Sequence, residues 1–216
     1  MFTIVCEAGN PRPLNCPHPW PLVAFPGGQG LLFSLVGLKI RPPDGTLCKS
    51  MTPEEFQKYY PRLLGWIDLT LRAHTGDART VISRGFPRLP LYFSAGTLTL
   101  AKVILVNQLP IPPLSSWGLT RFADFEHGNF GGITYLNTIF IKRDAARNEA
   151  IHFHELIHVV QWRILGPERF IRLYADGLER FGYRNSPLEV MAYDAEAAFM
   201  TKDIFDAEKM VAQKLS

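Results

Sequence analysis

The sequence is poor in cysteine. It has three cysteines in 216 residues, namely Cys6, Cys16 and Cys48, and no two of them form a C-x-x-C pair. Their odd number and their spacing argue against a disulfide framework or a paired-cysteine metal site. We therefore expect a cytoplasmic protein.

Long apolar runs and clusters of one charge are also missing. The apolar stretch from Leu31 to Leu38 is too short to span a bilayer, and the N-terminus lacks the basic and apolar regions of a secretory signal. The net charge is only +3, and the basic residues are scattered. The sequence therefore predicts neither a membrane span nor a nucleic-acid partner.

The stretch from Ile151 to Trp162 is the most informative one, because it contains an H-E-x-x-H motif. His154 and His158 lie four residues apart, so on a helix their imidazoles face the same side and can share one metal ion. Glu155 lies beside that pair, where a carboxylate can take a proton from a metal-bound water. The surrounding residues are almost all apolar, which predicts a central, buried helix.

A metal held by two histidines needs at least one further protein ligand. No histidine follows His158 and the cysteines lie far upstream, which favours a carboxylate. Glu189, at the start of a later helix, is the first choice. Ser186-x-x-Glu189 also fits a capping box, in which Glu189 would only bind a backbone N–H. Glu196 is then either the alternative ligand or the partner of a ligand histidine.

The motif and the segment Glu189-Val190-Met191-Ala192 together resemble the gluzincin, thermolysin-like branch of zinc metallopeptidases. The resemblance covers about residues 133–200. It implies Zn²⁺ held by His154, His158 and Glu189, with Glu155 as general base. It also implies an α+β, zincin-like fold, in which a small mixed or antiparallel sheet packs on a central H-E-x-x-H helix, with further helices towards the C-terminus.

Two positions depart from the family pattern. Tyr193 stands where an Asp would orient a ligand histidine, and Asp194 and Glu196 are both available for that task. The downstream histidine that stabilises the transition state is missing, so Tyr193, Tyr183 or Arg184 would have to replace it.

These observations predict a zinc metallopeptidase that hydrolyses peptide bonds of a peptide or protein substrate. One alternative is a zinc-binding protein without proteolytic activity, in which the metal braces an interaction module around a degenerate peptidase site. A second alternative is a metal-free structural protein whose two histidines are satisfied by protein partners.

Proline divides the chain into two predicted regions. Eight of the 17 prolines lie in residues 1–50, which predicts an extended arm, with a single catalytic domain over residues 51–216. One hypothesis is that the arm occludes the metal cleft, with Cys6, Cys16 or His18 as a masking ligand. The alternative is a covering arm with unreactive thiols.

Local patterns predict the elements of residues 51–216. A capping box at Thr52 starts a helix that extends to about His74, with a kink or break at Pro61. The predicted strands are 91–93, 97–106 and 132–142. Asp144 is the expected N-cap of the metal helix, which ends at Gly166, and further helices cover 168–181 and 186 to about 209. The strand beside the metal helix has an edge that is either open to an extended peptide or covered.

Overall fold

The computed structural model describes residues 51–216, which form a mixed α+β structure. The arm predicted for residues 1–50, its cysteines and the masking hypothesis lie outside the described residues. The helices are α1 (Pro53–Ala73), α2 (Ala95–Leu100), α3 (Ala123–Glu126), α4 (Glu149–Phe181), α5 (Pro187–Met200) and α6 (Ala207–Leu215). The strands are β1 (Arg79–Thr80), β2 (Lys102–Val106), β3 (Gly132–Tyr135) and β4 (Thr138–Lys142).

The four strands form one small mixed sheet in the order β1-β2-β4-β3. β2 and β4 are parallel, and the other two pairs are antiparallel. Strand β3 is therefore an edge strand of the described sheet. It contacts α4, as does β4, so the sheet edge lies beside the helix that carries the H-E-x-x-H motif.

Helix α4 is the centre of the described structure. Every residue from His152 to Trp162 is buried, as the nearly uniform apolar composition predicted, and α4 contacts α1, α5, α6 and two strands. Its backbone leaves helical geometry at Gly166, which has φ 70° and ψ 164°. Glycine tolerates this positive φ, and Pro167 has no N–H to continue the helical bonding. The predicted end of the metal helix at Gly166 is confirmed as a sharp break between two helical segments.

The predicted strand 91–93 was wrong, and the predicted strands 97–106 and 132–142 were partly wrong. Residues 89–91 form a 3₁₀ turn, and Thr97 belongs to α2, whose start is capped by the Ser94 side chain accepting from the Thr97 N–H. This local side-chain bond favours a helix despite the β-branched composition. The predicted strand 132–142 is instead the β3–β4 hairpin, which turns at Leu136 with a φ of 57°. No glycine or proline marks that turn.

Two helix boundaries and one predicted kink also differ from the expectation. The N-cap of α4 is Asn148, whose side chain accepts from two backbone N–H groups, whereas Asp144 lies in a preceding 3₁₀ turn. Helix α5 ends at Met200, and α6 follows as a separate helix with its own cap at Asp206. Helix α1 begins with the predicted Thr52 capping box and continues through Pro61 without a break.

None of the helices between residues 51 and 216 combines the length and the apolarity that crossing a membrane demands.

Candidate metal centre

The two motif histidines face each other on the buried side of α4. Each is only 6 % exposed, and their Nε2 atoms are 3.2 Å apart. This is the arrangement that the four-residue spacing predicted, because residues i and i+4 lie one above the other on a helix. The pair therefore presents two nitrogen atoms to a single point in the interior.

Glu189 brings a carboxylate to the same point from α5. It is 1 % exposed, and its oxygens lie 3.4 Å from His154 Nε2 and 3.3 Å from His158 Nε2. The potential ligand atoms of these three residues all lie within 4.8 Å of one another. A buried His-His-Glu group that could hold a metal ion is thus present.

The capping-box alternative for Glu189 is not what the structure contains. Ser186 is the N-cap of α5, but its side chain makes no capping hydrogen bond, and the Glu189 carboxylate points at the imidazoles instead. Glu196 lies further along the same helix, and its Oε2 is 3.0 Å from His154 Nδ1. Glu196 therefore holds His154 in place, while Asp194 is exposed and takes no part in the group.

The second histidine is oriented by a residue that the sequence did not single out. Gln161 is completely buried, and its amide nitrogen donates to the Leu188 carbonyl oxygen at 3.0 Å. Its Oε1 therefore faces His158 Nδ1, at 2.8 Å, as an acceptor. Gln161 also connects α4 to the start of α5. The only sequence signal was its position one turn after Ile157 on the buried face, which does not distinguish it from packing.

These contacts determine which nitrogens carry hydrogen. Glu196 and Gln161 are both acceptors, so the Nδ1 atoms of His154 and His158 are the donors. In the neutral imidazoles the facing Nε2 atoms then carry lone pairs, which converge with the Glu189 carboxylate. Among the described residues, Glu189 Oε2 is buried without a hydrogen-bond partner. Three converging acceptors are stabilised by a cation between them, so the residues fit a metal ion.

The charges of the metal-free site are strongly coupled. Burial acts to lower the pKa of His154, but the neighbouring carboxylates of Glu189 and Glu196 outweigh it and raise the pKa to about 10. Burial acts to raise the pKa of Glu189, but His158 and His154 hold it well below its ordinary value. The site therefore keeps Glu189 ionised and attracts positive charge.

Glu155 lies next to the pair but is held by a different element. It is 5 % exposed, and the Thr134 hydroxyl of β3 donates to its Oε2 at 2.6 Å. Burial raises the pKa of Glu155 above the ordinary value, although both histidines and Thr134 oppose the change. A raised pKa suits a carboxylate that accepts and returns a proton near neutral pH.

The Glu155 carboxylate lies close to the backbone of Gly132, which has no side chain. A Cβ atom on Gly132 would lie 2.8 Å from Glu155 Oε1 and 2.8 Å from Ile141 Cδ1. A side chain at this position would therefore displace the carboxylate or the strand. The glycine was identified only as the start of a strand, and sequence gave no sign of this close approach.

Three tyrosines surround the group. The Tyr174 hydroxyl donates to Glu189 Oε1 at 2.7 Å, a contact that was not anticipated. The Tyr193 ring centroid lies 4.6 Å from the His154 ring centroid. The Arg184 guanidinium lies over the Tyr193 ring, 5.1 Å from its centroid. Tyr183 packs on Phe130 at 4.5 Å. Burial raises the pKa of all three phenols, so their hydroxyls are neutral donors.

No family model, curated protein or solved structure matches the chain. The function of the centre therefore has to follow from its own chemistry.

Proposed function

We propose that the protein is a zinc-dependent hydrolase of peptide bonds, with a zincin-like arrangement of the gluzincin type. The observation that supports it best is that a possible metal-binding group and a carboxylate suited to proton transfer lie side by side in the interior. His154, His158 and Glu189 converge with facing lone pairs, and Glu155, which belongs to none of those contacts, lies beside them with a raised pKa.

The proposal assigns each group a task. His154, His158 and Glu189 would hold zinc, which when bound acts as a Lewis acid that acidifies water and polarises a carbonyl oxygen. Glu155 accepts the proton of the attacking water at Oε1, because Thr134 occupies Oε2. It then returns a proton to the amine that leaves as the C–N bond breaks.

Tyr193 is the proposed stabiliser of negative charge on the carbonyl oxygen. Its ring centroid lies 4.6 Å from that of His154, and the residue is half-buried. Tyr183 and Arg184 pack around it and are better placed to support its position. A neutral phenol can donate a hydrogen bond to a developing oxyanion.

The proposal places an extended peptide substrate along β3. This strand pairs on one side with β4, and Thr134 on it contacts Glu155. The indole N–H of Trp162 donates to the Thr134 carbonyl oxygen at 3.2 Å, so one backbone group of that strand is already used. In the proposal, an extended peptide pairs with other backbone groups of this edge.

Replacement of Glu155 by Gln tests the proposed reaction. The amide keeps the shape and can still accept from Thr134, but it cannot take a proton. We expect digestion of a peptide library by the zinc-loaded protein to fall by at least about a hundredfold in Glu155→Gln, while elemental analysis finds the same zinc content.

The matched control is Glu168→Gln, on an exposed part of α4, which should cleave like the wild type. Unchanged cleavage in Glu155→Gln would remove Glu155 from the mechanism. Zinc binding without any cleavage by the wild type would instead favour a metal-braced, non-proteolytic module.

A further inference from the structure

The two oxygens of the Glu189 carboxylate have different surroundings. Oε1 accepts a hydrogen bond from the Tyr174 hydroxyl at 2.7 Å and lies 3.3 Å from His158 Nε2. Oε2 is buried, lies 3.4 Å from His154 Nε2, and has no hydrogen-bond partner within residues 51–216. The protein therefore supplies a hydroxyl donor to one oxygen of this carboxylate and none to the other.

Packing fixes the direction of the Tyr174 hydroxyl. Tyr174 lies on the second segment of α4, where its ring stacks on Phe170 with 5.6 Å between centroids and an interplanar angle of 12°. Phe125 meets the ring edge-on, at 5.9 Å and 77°. Burial raises the pKa of Tyr174 well above its ordinary value, so the hydroxyl keeps its proton. The ring contacts therefore hold a neutral donor at Glu189 Oε1.

The number of Glu189 oxygens that bind a metal decides what the centre can do. A carboxylate can bind through one oxygen or through both. Catalytic zinc has three protein ligands and keeps one position for water, whereas a fourth protein donor gives the closed shell of structural sites. His154, His158 and one Glu189 oxygen supply three donors. Binding of the second oxygen would add a fourth and exclude water.

We infer that Tyr174 is a positioning residue that keeps Glu189 a ligand through Oε2 alone and so preserves an open position for water. This inference rests on the proposed function, because it concerns the same centre. The hydrogen bond from Tyr174 uses a lone pair of Oε1. Without the hydroxyl, Oε1 would be buried without that donor, which costs free energy, and it would turn to the metal as a second ligand atom.

Replacement of Tyr174 by Phe tests this role, because it removes only the hydroxyl and keeps the ring contacts with Phe170 and Phe125. The probe is acetohydroxamate, a small ligand that needs an open position on the metal. Calorimetric titration into the zinc-loaded full chain should show affinity about tenfold or more weaker in Tyr174→Phe than in the wild type. Elemental analysis of the loaded proteins should find equal zinc.

A second readout separates a closed shell from a lost contact with the probe. With cobalt(II) in place of zinc, the visible spectrum reports the geometry and the ligands of the metal. The spectrum of Tyr174→Phe should differ from that of the wild type before acetohydroxamate is added, because a carboxylate oxygen replaces water. Weaker zinc binding with unchanged acetohydroxamate affinity, or identical cobalt spectra, would overturn the inference.

Tyr135→Phe is the matched control. The Tyr135 hydroxyl donates to the Pro110 carbonyl oxygen at 2.7 Å, the same length as the bond from Tyr174 to Glu189. The control removes an equivalent hydrogen bond that involves no residue of the metal-binding group, so acetohydroxamate affinity and the cobalt spectrum should match the wild type. Equal loss of affinity in both variants, or no loss in Tyr174→Phe, would contradict the positioning role.

Failure of the proposed function gives a different result. Neither measurement needs a peptide, so a protein that binds zinc but cleaves no peptide still answers the question. Weaker acetohydroxamate binding and an altered cobalt spectrum in Tyr174→Phe would then support the role of Tyr174 while peptide hydrolysis is refuted. A protein that takes up neither zinc nor cobalt would contradict both proposals.

Discussion

At the scale of single residues, the pKa values of two buried carboxylates in one site are shifted in opposite directions. Glu189 faces two imidazoles and keeps its charge, because their attraction exceeds the cost of burial. Glu155 is also buried, but it only borders the two imidazoles. Burial therefore has a larger effect on its pKa than the imidazoles have, and the pKa is raised. The same environment therefore keeps one carboxylate ionised and raises the pKa of the other. The roles follow from geometry and not from residue type.

Gln161 offers a direct test of how His158 is held. Gln161→Leu removes the acceptor for His158 Nδ1 and the bond to the Leu188 carbonyl. We expect zinc affinity to fall by about 10–100-fold, as for other partners of metal-binding histidines. Competition with a chromophoric chelator measures it. The control Gln213→Leu, on the exposed surface of α6, should keep wild-type affinity. Wild-type affinity in Gln161→Leu would show that His158 needs no such partner.

The pKa of His154 predicts how stability of the metal-free protein depends on pH. The folded-state pKa, about 10, lies above the ordinary value of 6.5, so the stabilising interaction is complete below pH 6.5 and is lost as pH rises through about 10. We expect the melting temperature of the chelator-treated protein to fall by several degrees between pH 7 and 10. His154→Gln should flatten this dependence. A melting temperature that rises over the same interval would contradict the arrangement.

At the scale of elements, the centre depends on how α4 and α5 are brought together. The break at Gly166 redirects the second segment of α4, and Gly177 on that segment lies against the start of α5. A Cβ atom at Gly177 would lie 2.5 Å from Ser186 Oγ and 3.0 Å from Pro187 Cδ. Glu189 follows within one turn. The close approach of these helices therefore sets the distance from Glu189 to the histidines.

Gly177→Ala should separate these two helices. We expect weaker zinc binding, by about tenfold, together with a lower melting temperature, since the proline ring cannot rotate away. Gly65→Ala is the matched control, because Gly65 is an exposed helical residue with nothing within 4 Å of its Cβ position. It should raise stability by about 0.5–1 kcal/mol. Calorimetry and chelator competition on both variants provide the measurements, and equal zinc affinity would contradict the positioning role.

The elements also show what a sequence can reveal. The capping box at Thr52, the buried run of α4 and the break at Gly166 follow from local rules, and each is present. The β3–β4 turn at Leu136 and the caps at Ser94 and Asn148 were missed. Leu136 takes a backbone conformation that leucine rarely adopts, and a cap depends on which of several polar residues forms the bond.

The same distinction between local rules and tertiary structure explains which site residues could be predicted from the sequence. The H-E-x-x-H spacing determines that two imidazoles face each other, so His154 and His158 could be found from the sequence alone. Glu189 could be proposed but not separated from a cap, because that choice depends on side-chain direction. The contacts of Gln161 with His158 and of Tyr174 with Glu189 could not be predicted from the sequence, because only the tertiary structure defines how closely these segments approach each other.

At the scale of the whole molecule, the centre joins three parts of residues 51–216. The histidines belong to α4, Glu189 belongs to α5, and Glu155 is held by the sheet through Thr134. A metal ion at this position would link the sheet, the central helix and the C-terminal helices. An apolar pocket, whose wall includes Glu155, His158 and Glu189, begins at the same place and extends to α1.

Metal content is the most direct measurement of the central claim. Elemental analysis of full-length protein, purified without chelator, should find about one zinc per chain. The double variant His154→Ala/His158→Ala should contain none, while Ala212→Phe should match the wild type. No zinc in the wild-type protein, even after incubation with the metal, or equal zinc in the double variant, would contradict the account.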